Sequence, residues 1–378
     1  MKTRFFFFFL IFILVGCKTL KQSADEIVTD KKGCEPIEFV NGIPHIETII
    51  DGKPNKLIFD TGSNISIIMD STIISSFENK DFGSLGSVKG ADGKKTKNRT
   101  FTTNIKTNLF ESENMVMIYV NQPKAKCNNN PMKGLIGLFN ILSSTYSIHM
   151  NFGESSLCNL DENEKNEMIT KNGFEELKCE YKNSIIYVFL EIENKEYKFK
   201  LDTGFTENIV VPYSKEIKFE NRNYSKFEGS FFKSLSSETK GNESIYADMP
   251  IKIGNQVVYS NLNSSSSIKS QNIGIGFIKG FDWIIDYKNK KLFYKKNKNR
   301  IETSIKYKNP LYSNVVNDKL VVIIKNSNSN SAFNLGDEIT SINSKKVTPE
   351  NICEMQNLLN STTNWETLNL EVIPSKTK

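Results

Sequence analysis

The amino-acid sequence predicts a mainly β protein built from two duplicated lobes, with a small α+β domain at its C-terminal end. Three observations predict it. The stretch Leu57-Ile58-Phe59-Asp60-Thr61-Gly62-Ser63 returns as Phe199-Lys200-Leu201-Asp202-Thr203-Gly204-Phe205, and residues 46–68 align on residues 188–210 without a gap. Apolar runs of strand length, bounded by turn residues, fill most of the chain between about residues 35 and 300. From about residue 301 the pattern changes to strands around one helix-like stretch. The expected segments are 1–16, 17–33, 34–160 (first lobe), 161–177 (linker), 178–300 (second lobe) and 301–378.

The chain opens with Lys2 and Arg4 ahead of an apolar run over residues 5–15, which is too short to span a bilayer as a helix. The run ends in Leu14-Val15-Gly16-Cys17, which resembles a bacterial lipoprotein box. That resemblance implies cleavage after Gly16 and a lipidated Cys17, hence a cell-envelope protein held on a membrane without crossing it. The membrane face stays open. An ordinary secretory signal with an incidental cysteine is the alternative. Residues 18–32 are polar and aperiodic, as in a flexible tether.

Composition excludes several function classes. The net charge of +6 falls to +4 once Lys2 and Arg4 are removed, and it is dispersed, so no nucleic-acid partner is expected. With only His45 and His149 present, a His-rich metal cluster is excluded, and neither lies near a nucleophile motif. His149 sits in a strand-like run and reads as structural. No cofactor or metal is expected. Outside the cytoplasm disulfides are permitted. Five cysteines follow Cys17, with long spacings and no Cys-x-x-Cys, which argues against zinc and thioredoxin-like chemistry. A Cys34–Cys158 pair and buried free thiols are both open.

In the first lobe, residues 46–50 and 115–120 are strand-like, and Asp51-Gly52 is a hairpin signal ahead of Asp60. Gly90-Ala91-Asp92-Gly93 is a second hairpin signal, a candidate flap over a cleft or else a plain surface turn. Leu135-Ile136-Gly137 leads into a helix-like stretch and a strand over 148–152, and the charged residues 161–173 read as linker. The second lobe repeats the plan: strands near 185–192, the Asp202 turn, a polar Ser- and Lys-rich middle, strands at 251–253 and 257–259, Asn272-Ile273-Gly274, and strands at 283–287 and 291–294. In the last segment a strand over 320–324, a helix-like stretch over 349–359 and a closing strand over 368–373 are expected.

One Asp-Thr-Gly would be an ordinary turn. Two in aligned frames suit a task that needs paired carboxylates. Two carboxyls about 3 Å apart cannot both ionise, so they share a proton, as in the aspartic proteases. The ionised member takes a proton from a water held between them, and the protonated member donates to the substrate carbonyl oxygen. Gly62 and Gly204 permit a tight turn close to the carboxylates, and Thr61 and Thr203 are placed to hydrogen-bond across to the opposite lobe.

Residues 35–297 resemble the aspartic peptidases, more the retropepsin-like branch than pepsin, on Asp60-Thr61-Gly62-Ser63, Asp202-Thr203-Gly204 and the hydrophobic-hydrophobic-Gly element after each. The resemblance implies a double β-barrel with Asp60 and Asp202 as the catalytic pair. With both lobes on one chain, a monomer suffices. Leu335-Gly336-Asp337-Glu338-Ile339-Thr340-Ser341-Ile342-Asn343 resembles the core of bacterial PDZ modules, without the loop that holds a peptide carboxylate. Departures fall in the second lobe. Ser63 is expected to bond an outer carboxylate oxygen and Phe205 cannot, and Asn272 replaces an apolar residue. A lost hydrogen bond to the ionised form implies a less acidic pH optimum than pepsin's. The candidate flap, residues 86–101, contains no Tyr. The expected function is a membrane-anchored extracytoplasmic aspartic endopeptidase acting on peptides or proteins. The alternative is an inactive peptide-binding lipoprotein that keeps the fold.

Overall fold

The computed structural model describes residues 26–84, 87–90, 92–121, 126–127, 132–142, 145–213, 219, 224–233, 238–304 and 309–375. Cys17, residues 18–25 of the expected tether and Ala91 lie outside them. The chain is mainly β, as expected.

Twelve strands form two closed rings. The first contains β1 (Ile43–Ile50), β2 (Lys53–Asp60), β3 (Ile67–Ile68), β4 (Arg99–Lys106), β5 (Phe110–Tyr119) and β6 (Gly134–Gly137). They pair in the order β1-β2-β6-β3-β5-β4 and back to β1. The second contains β7 (Ile185–Ile192), β8 (Lys195–Asp202), β9 (Ile209–Pro212), β10 (Glu238–Ile253), β11 (Gln256–Ser265) and β12 (Asn272–Gly274). Its order is β7-β8-β12-β9-β11-β10 and back to β7, the same circuit. The repeat read from the sequence is therefore a repeat of topology.

Local chemistry explains the matched entries. Asp51 and Gly52, with φ of 45° and 82°, close β1 onto β2 by a two-residue turn with positive φ at both positions. The same turn joins β7 to β8 through Glu193 (φ 50°) and Asn194 (φ 62°), without the Asp-Gly signature. Alternate residues of β1, among them Ile46 and Ile50, point into the core. Leu57 and Phe59 of the first repeat and Phe199 and Leu201 of the second belong to one continuous buried cluster, so burial anchors both strands that end in Asp.

A six-stranded sheet joins the two halves. Ser147–Asn151 pairs with Phe281–Asp286, Ile148 opposite Ile285, although the strands come from different repeats. Cys34–Pro36 forms one edge, and Cys34 is disulfide-bonded to Cys158 on the neighbouring strand. That was one of the two options left by spacing. The second disulfide, Cys127–Cys353, was not expected. Cys179 is the free thiol among the described cysteines.

The charged stretch read as linker is instead a helix, Glu162–Lys171, opened by a capping box of Asp161 and Glu164. Its sequence looks like solvated loop because the few contacts that hold it are made by Met168, Ile169 and a buried lysine. Lys165 Nζ lies 2.6 Å from Asp286 Oδ2, both side chains 4% exposed. Lys165→Met is expected to destabilise the fold by roughly 3 kcal/mol, since it leaves the Asp286 charge buried without its cation. Urea unfolding measures this, and a change below about 0.5 kcal/mol, as at a surface site, would contradict it.

The C-terminal segment has its own core, Leu311, Leu320, Ile339, Ile352, Leu359 and Trp365 among others. It is nonetheless continuous with the second ring. The polar middle of the second repeat is a long ribbon, Tyr224–Lys233 paired with β10, and Phe227 to Gly229 pair antiparallel with Asn326 to Ile324. The approach is close: Gly229 has φ 132°, and a Cβ there would stand 1.9 Å from the Ile323 carbonyl oxygen. Cys127–Cys353 is a second fastening, closing 226 positions of sequence.

Candidate active site

β2 and β8 deliver the two Asp-Thr-Gly turns. Parallel pairing fixes each: Leu135, Ile136 and Gly137 lie beside Ile58, Phe59 and Asp60, and Asn272, Ile273 and Gly274 lie beside Lys200, Leu201 and Asp202. The partial match at Asn272 thus occupies the same register as Leu135. Behind each turn, Leu138 N–H donates to the Ser63 carbonyl (2.9 Å) and Ile275 N–H donates to the Phe205 carbonyl (2.8 Å).

The turns are cross-bonded through their threonines. Thr61 N–H donates to Thr203 Oγ1 (2.9 Å), and Thr203 N–H donates to Thr61 Oγ1 (3.0 Å). Each hydroxyl then donates to the opposite strand, Thr61 Oγ1 to Leu201 O (2.8 Å) and Thr203 Oγ1 to Phe59 O (2.6 Å). All four bonds are buried, where they resist competition by water. Thr61 and Thr203 thus bond across to the opposite turn and strand.

This clasp presses each glycine against the opposite carboxyl. A Cβ on Gly62 would lie 2.2 Å from Asp202 Cγ, and one on Gly204 would lie 2.6 Å from Asp60 Cγ. The aspartates therefore flank a common point. Gly62 N–H donates to Asp60 Oδ1 (2.8 Å). Asp202 is buried; Asp60 is enclosed by protein but keeps a partly open surface. Burial, then the Asp202 charge, pushes the Asp60 carboxyl up to about 7, against the opposing pull of Lys200 and the Gly62 N–H.

Lys200 was not singled out from the sequence. Its Nζ is 2.6 Å from Asp202 Oδ2 and donates to the Gly62 carbonyl of the other turn (3.2 Å). The signal was available: two positions before Asp202 in a strand is the same face. Burial would push this ammonium down, but the Asp202 charge and hydrogen bond, with Asp60 behind, outweigh it and hold it above its usual range.

Ser63 corrects an expectation. Its hydroxyl donates to the Ile65 carbonyl (2.7 Å) and accepts from Ile65 N–H (3.3 Å), a local turn rather than a bond to the carboxylate. Ser63 and Phe205 do the same work through their backbones, donating N–H to Asp60 O (3.4 Å) and Asp202 O (3.2 Å). The Ser-to-Phe difference is thus no loss to Asp202 relative to Asp60. Asn272 is buried, with its Oδ1 accepting from Ser270 Oγ (3.1 Å) and its Nδ2 unpartnered among the described residues.

The candidate flap is a hairpin of Ser87–Lys89 and Lys95–Lys97, separate from the rings. Gly90 N–H donates to Lys94 O, Gly93 N–H donates to Gly90 O, and Asp92 Oδ1 accepts from Lys94 N–H (3.1 Å). His149 is structural: it packs edge-on against Phe174, and burial pushes its ring down to about 4. A cavity of about 530 Å³ lies on the first ring between His45, Lys56 and Met132, away from the aspartates. No group of three or more His, Cys, Asp or Glu among the described residues could hold a metal ion, and no helix among them is long and apolar enough to cross a membrane.

No protein-family model matches the chain, and no curated protein matches it. The chemical content of the site therefore rests on its own geometry. It consists of two carboxyls set against the opposite turns' glycines, one pushed toward neutrality and the other ion-paired to a lysine. Such a pair is equipped to take a proton and give one in the same event.

Proposed function

We propose that this chain is an aspartic-type endopeptidase of the retropepsin-like kind, with one catalytic aspartate from each of two barrel lobes. The observation that carries it is the reciprocal threonine clasp, which sets Asp60 and Asp202 on either side of one point. A water bound between them gives a proton to the ionised carboxylate while its oxygen bonds to the peptide carbonyl carbon. The protonated carboxyl gives its proton to the carbonyl oxygen. The tetrahedral intermediate then collapses, the C–N bond breaks, and the amine leaves with a proton returned from the pair. The enzyme forms no covalent bond to the substrate. Thr61, Gly62, Thr203 and Gly204 hold the geometry, and the hairpin around Gly90-Ala91-Asp92-Gly93 is the element to cover an extended peptide in the cleft.

Lipidation at Cys17 and a place in the cell envelope belong to the same proposal, and two disulfides suit that oxidising setting. The C-terminal segment is proposed as a PDZ-like module acting as a brace rather than a peptide dock. Asn360 Oδ1 accepts from Ser313 N–H (2.8 Å) and its Nδ2 donates to Ser313 O (3.0 Å), so the backbone of Ser313 is already engaged by the helix Ile352–Ser361.

The second reading is a peptide binder without turnover, favoured by the buried, half-satisfied Asn272 beside Lys200. A denatured-proteome peptide library incubated from pH 3 to 8 separates the two. New termini detected by mass spectrometry with the wild-type chain and not with Asp60→Asn support the peptidase. Retention of peptides without new termini supports the binder.

A further inference from the structure

The two halves of the site are alike in almost every respect. Strand, turn, threonine clasp, glycine and following element are matched position for position. The residues after the glycines, Ser63 and Phe205, differ in side chain but serve through the backbone. The difference in charge that reaches a carboxyl lies two residues upstream: buried Ile58 in one strand, Lys200 in the other.

We propose that Lys200 is a positioning residue that gives the two aspartates fixed and different roles: its ammonium, bridging Asp202 Oδ2 at 2.6 Å and the Gly62 carbonyl at 3.2 Å, keeps Asp202 as the carboxylate and leaves Asp60 to carry the shared proton. This rests on the reading of the pair as a hydrolytic centre. A symmetric dyad divides its proton equally between two sites. A cation in contact with one carboxylate and further from the other removes that equality, and each pK unit of difference is a tenfold preference. Lys200 is well placed to do so because its side chain is only 18% exposed and that of Asp202 9%, so water screens the pair weakly. The charged and titratable groups around its ammonium are Asp202, Asp60 and, on the neighbouring β7, Tyr187; the facing residue on β12 is the neutral Asn272. The position of Asp60, pushed up to about 7 by burial and by its neighbour, agrees with its being the proton carrier. The bridge to Gly62 also ties the cation to the turn that abuts Asp202, so it cannot swing away without disturbing the other half. In the reaction, Asp202 then takes the proton of the attacking water, and Asp60 protonates the carbonyl oxygen.

The test is a carbon-13 titration of the full chain labelled at aspartate Cγ, with the two resonances assigned by their absence from Asp60→Asn and Asp202→Asn. The Asp60 resonance is expected to titrate near neutrality while the Asp202 resonance keeps its ionised position through that range. In Lys200→Met the two should titrate together, and both limbs of the pH–rate profile should move up by about one unit, since a cation that favoured ionisation is gone. Lys200→Arg, which retains the charge, should keep the wild-type order. If Lys200→Met does not fold, the order in the wild type decides alone. Reversal of that order, or an unchanged order in folded Lys200→Met, overturns the proposal. The titration needs no turnover: the expected order in a chain that cuts nothing would sink the peptidase and leave this assignment standing, whereas cleavage with the reversed order would sink the assignment and leave the peptidase.

Discussion

Asp60→Asn and Asp202→Asn are expected to abolish peptide cleavage alike and to shift stability in opposite directions. Each substitution removes one of the two groups that must exchange a proton, so turnover should fall by at least about four orders of magnitude, as when acid–base partners act as a unit. Stability separates them. The Asp60 carboxyl is raised to about 7 in the fold, against an ordinary value of 3.8, so between those values the folded chain binds a proton that the unfolded chain has released. Stability from this group is therefore lost as pH rises through that window, and the deficit is complete above about 7. Asp60→Asn removes the deficit, so the variant should melt above the wild type at pH 8 and match it near pH 3.5. Asp202→Asn instead strips the buried Lys200 of its contact counter-ion and leaves it only the more distant Asp60, a loss of up to about 3–5 kcal/mol. It should melt well below the wild type at pH 8. Thermal unfolding of both variants at the two pH values checks this, and an Asp202→Asn variant as stable as the wild type would remove the ion pair from the account.

Gly62→Ala is expected to have the next largest effect, although it adds a single methyl group. Its Cβ would fall 2.2 Å from Cγ and 2.3 and 2.5 Å from the oxygens of the Asp202 carboxyl, closer than any real contact. The carboxyl has little room to retreat, because Lys200 holds Oδ2 at 2.6 Å. The turn cannot open either, because Thr61 is bonded to Thr203 and to the Leu201 carbonyl. The strain must therefore shift one aspartate relative to the other. Displacement of reacting groups by about 1 Å costs about a hundredfold in rate, and overpacking of this kind costs about 1–3 kcal/mol. A kcat/KM lowered by about two orders of magnitude in a protein that still melts cooperatively is the expected result. Retention of full activity would mean that the carboxyls do not meet at this point.

How much of this was legible beforehand follows from where the signals live. Asp60 and Asp202, their threonines and their glycines could be read directly, because two aligned copies of a strand ending in Asp-Thr-Gly announce themselves in one dimension. The ring topology was legible only through resemblance, since alternating apolar residues identify strands but not their partners. The Glu193-Asn194 turn lacks the Asp-Gly signature and was found by its backbone. The helix Glu162–Lys171 reads as linker in the sequence because its apolar contacts are only Met168 and Ile169 and its other anchor is a buried lysine, a residue type expected to face solvent. The same expectation hid Lys200. By residue type Ser63 points to the carboxylate, whereas its hydroxyl bonds the Ile65 carbonyl and N–H. The ribbon from Tyr224 was hidden for a different reason. Its Ser, Lys and Glu residues carry no apolar alternation, and it is held by the edge of a strand about a hundred residues away, which no local pattern encodes.

In the proposed reaction, hydrolysis runs on one proton shared by Asp60 and Asp202. The most direct measurement is kcat/KM against pH for any peptide the chain cleaves. A bell whose basic limb falls near pH 7, where Asp60 gives up that proton, is expected. A maximum below about pH 3, as for a pepsin-like pair, or a rate still rising past about pH 9, would contradict it.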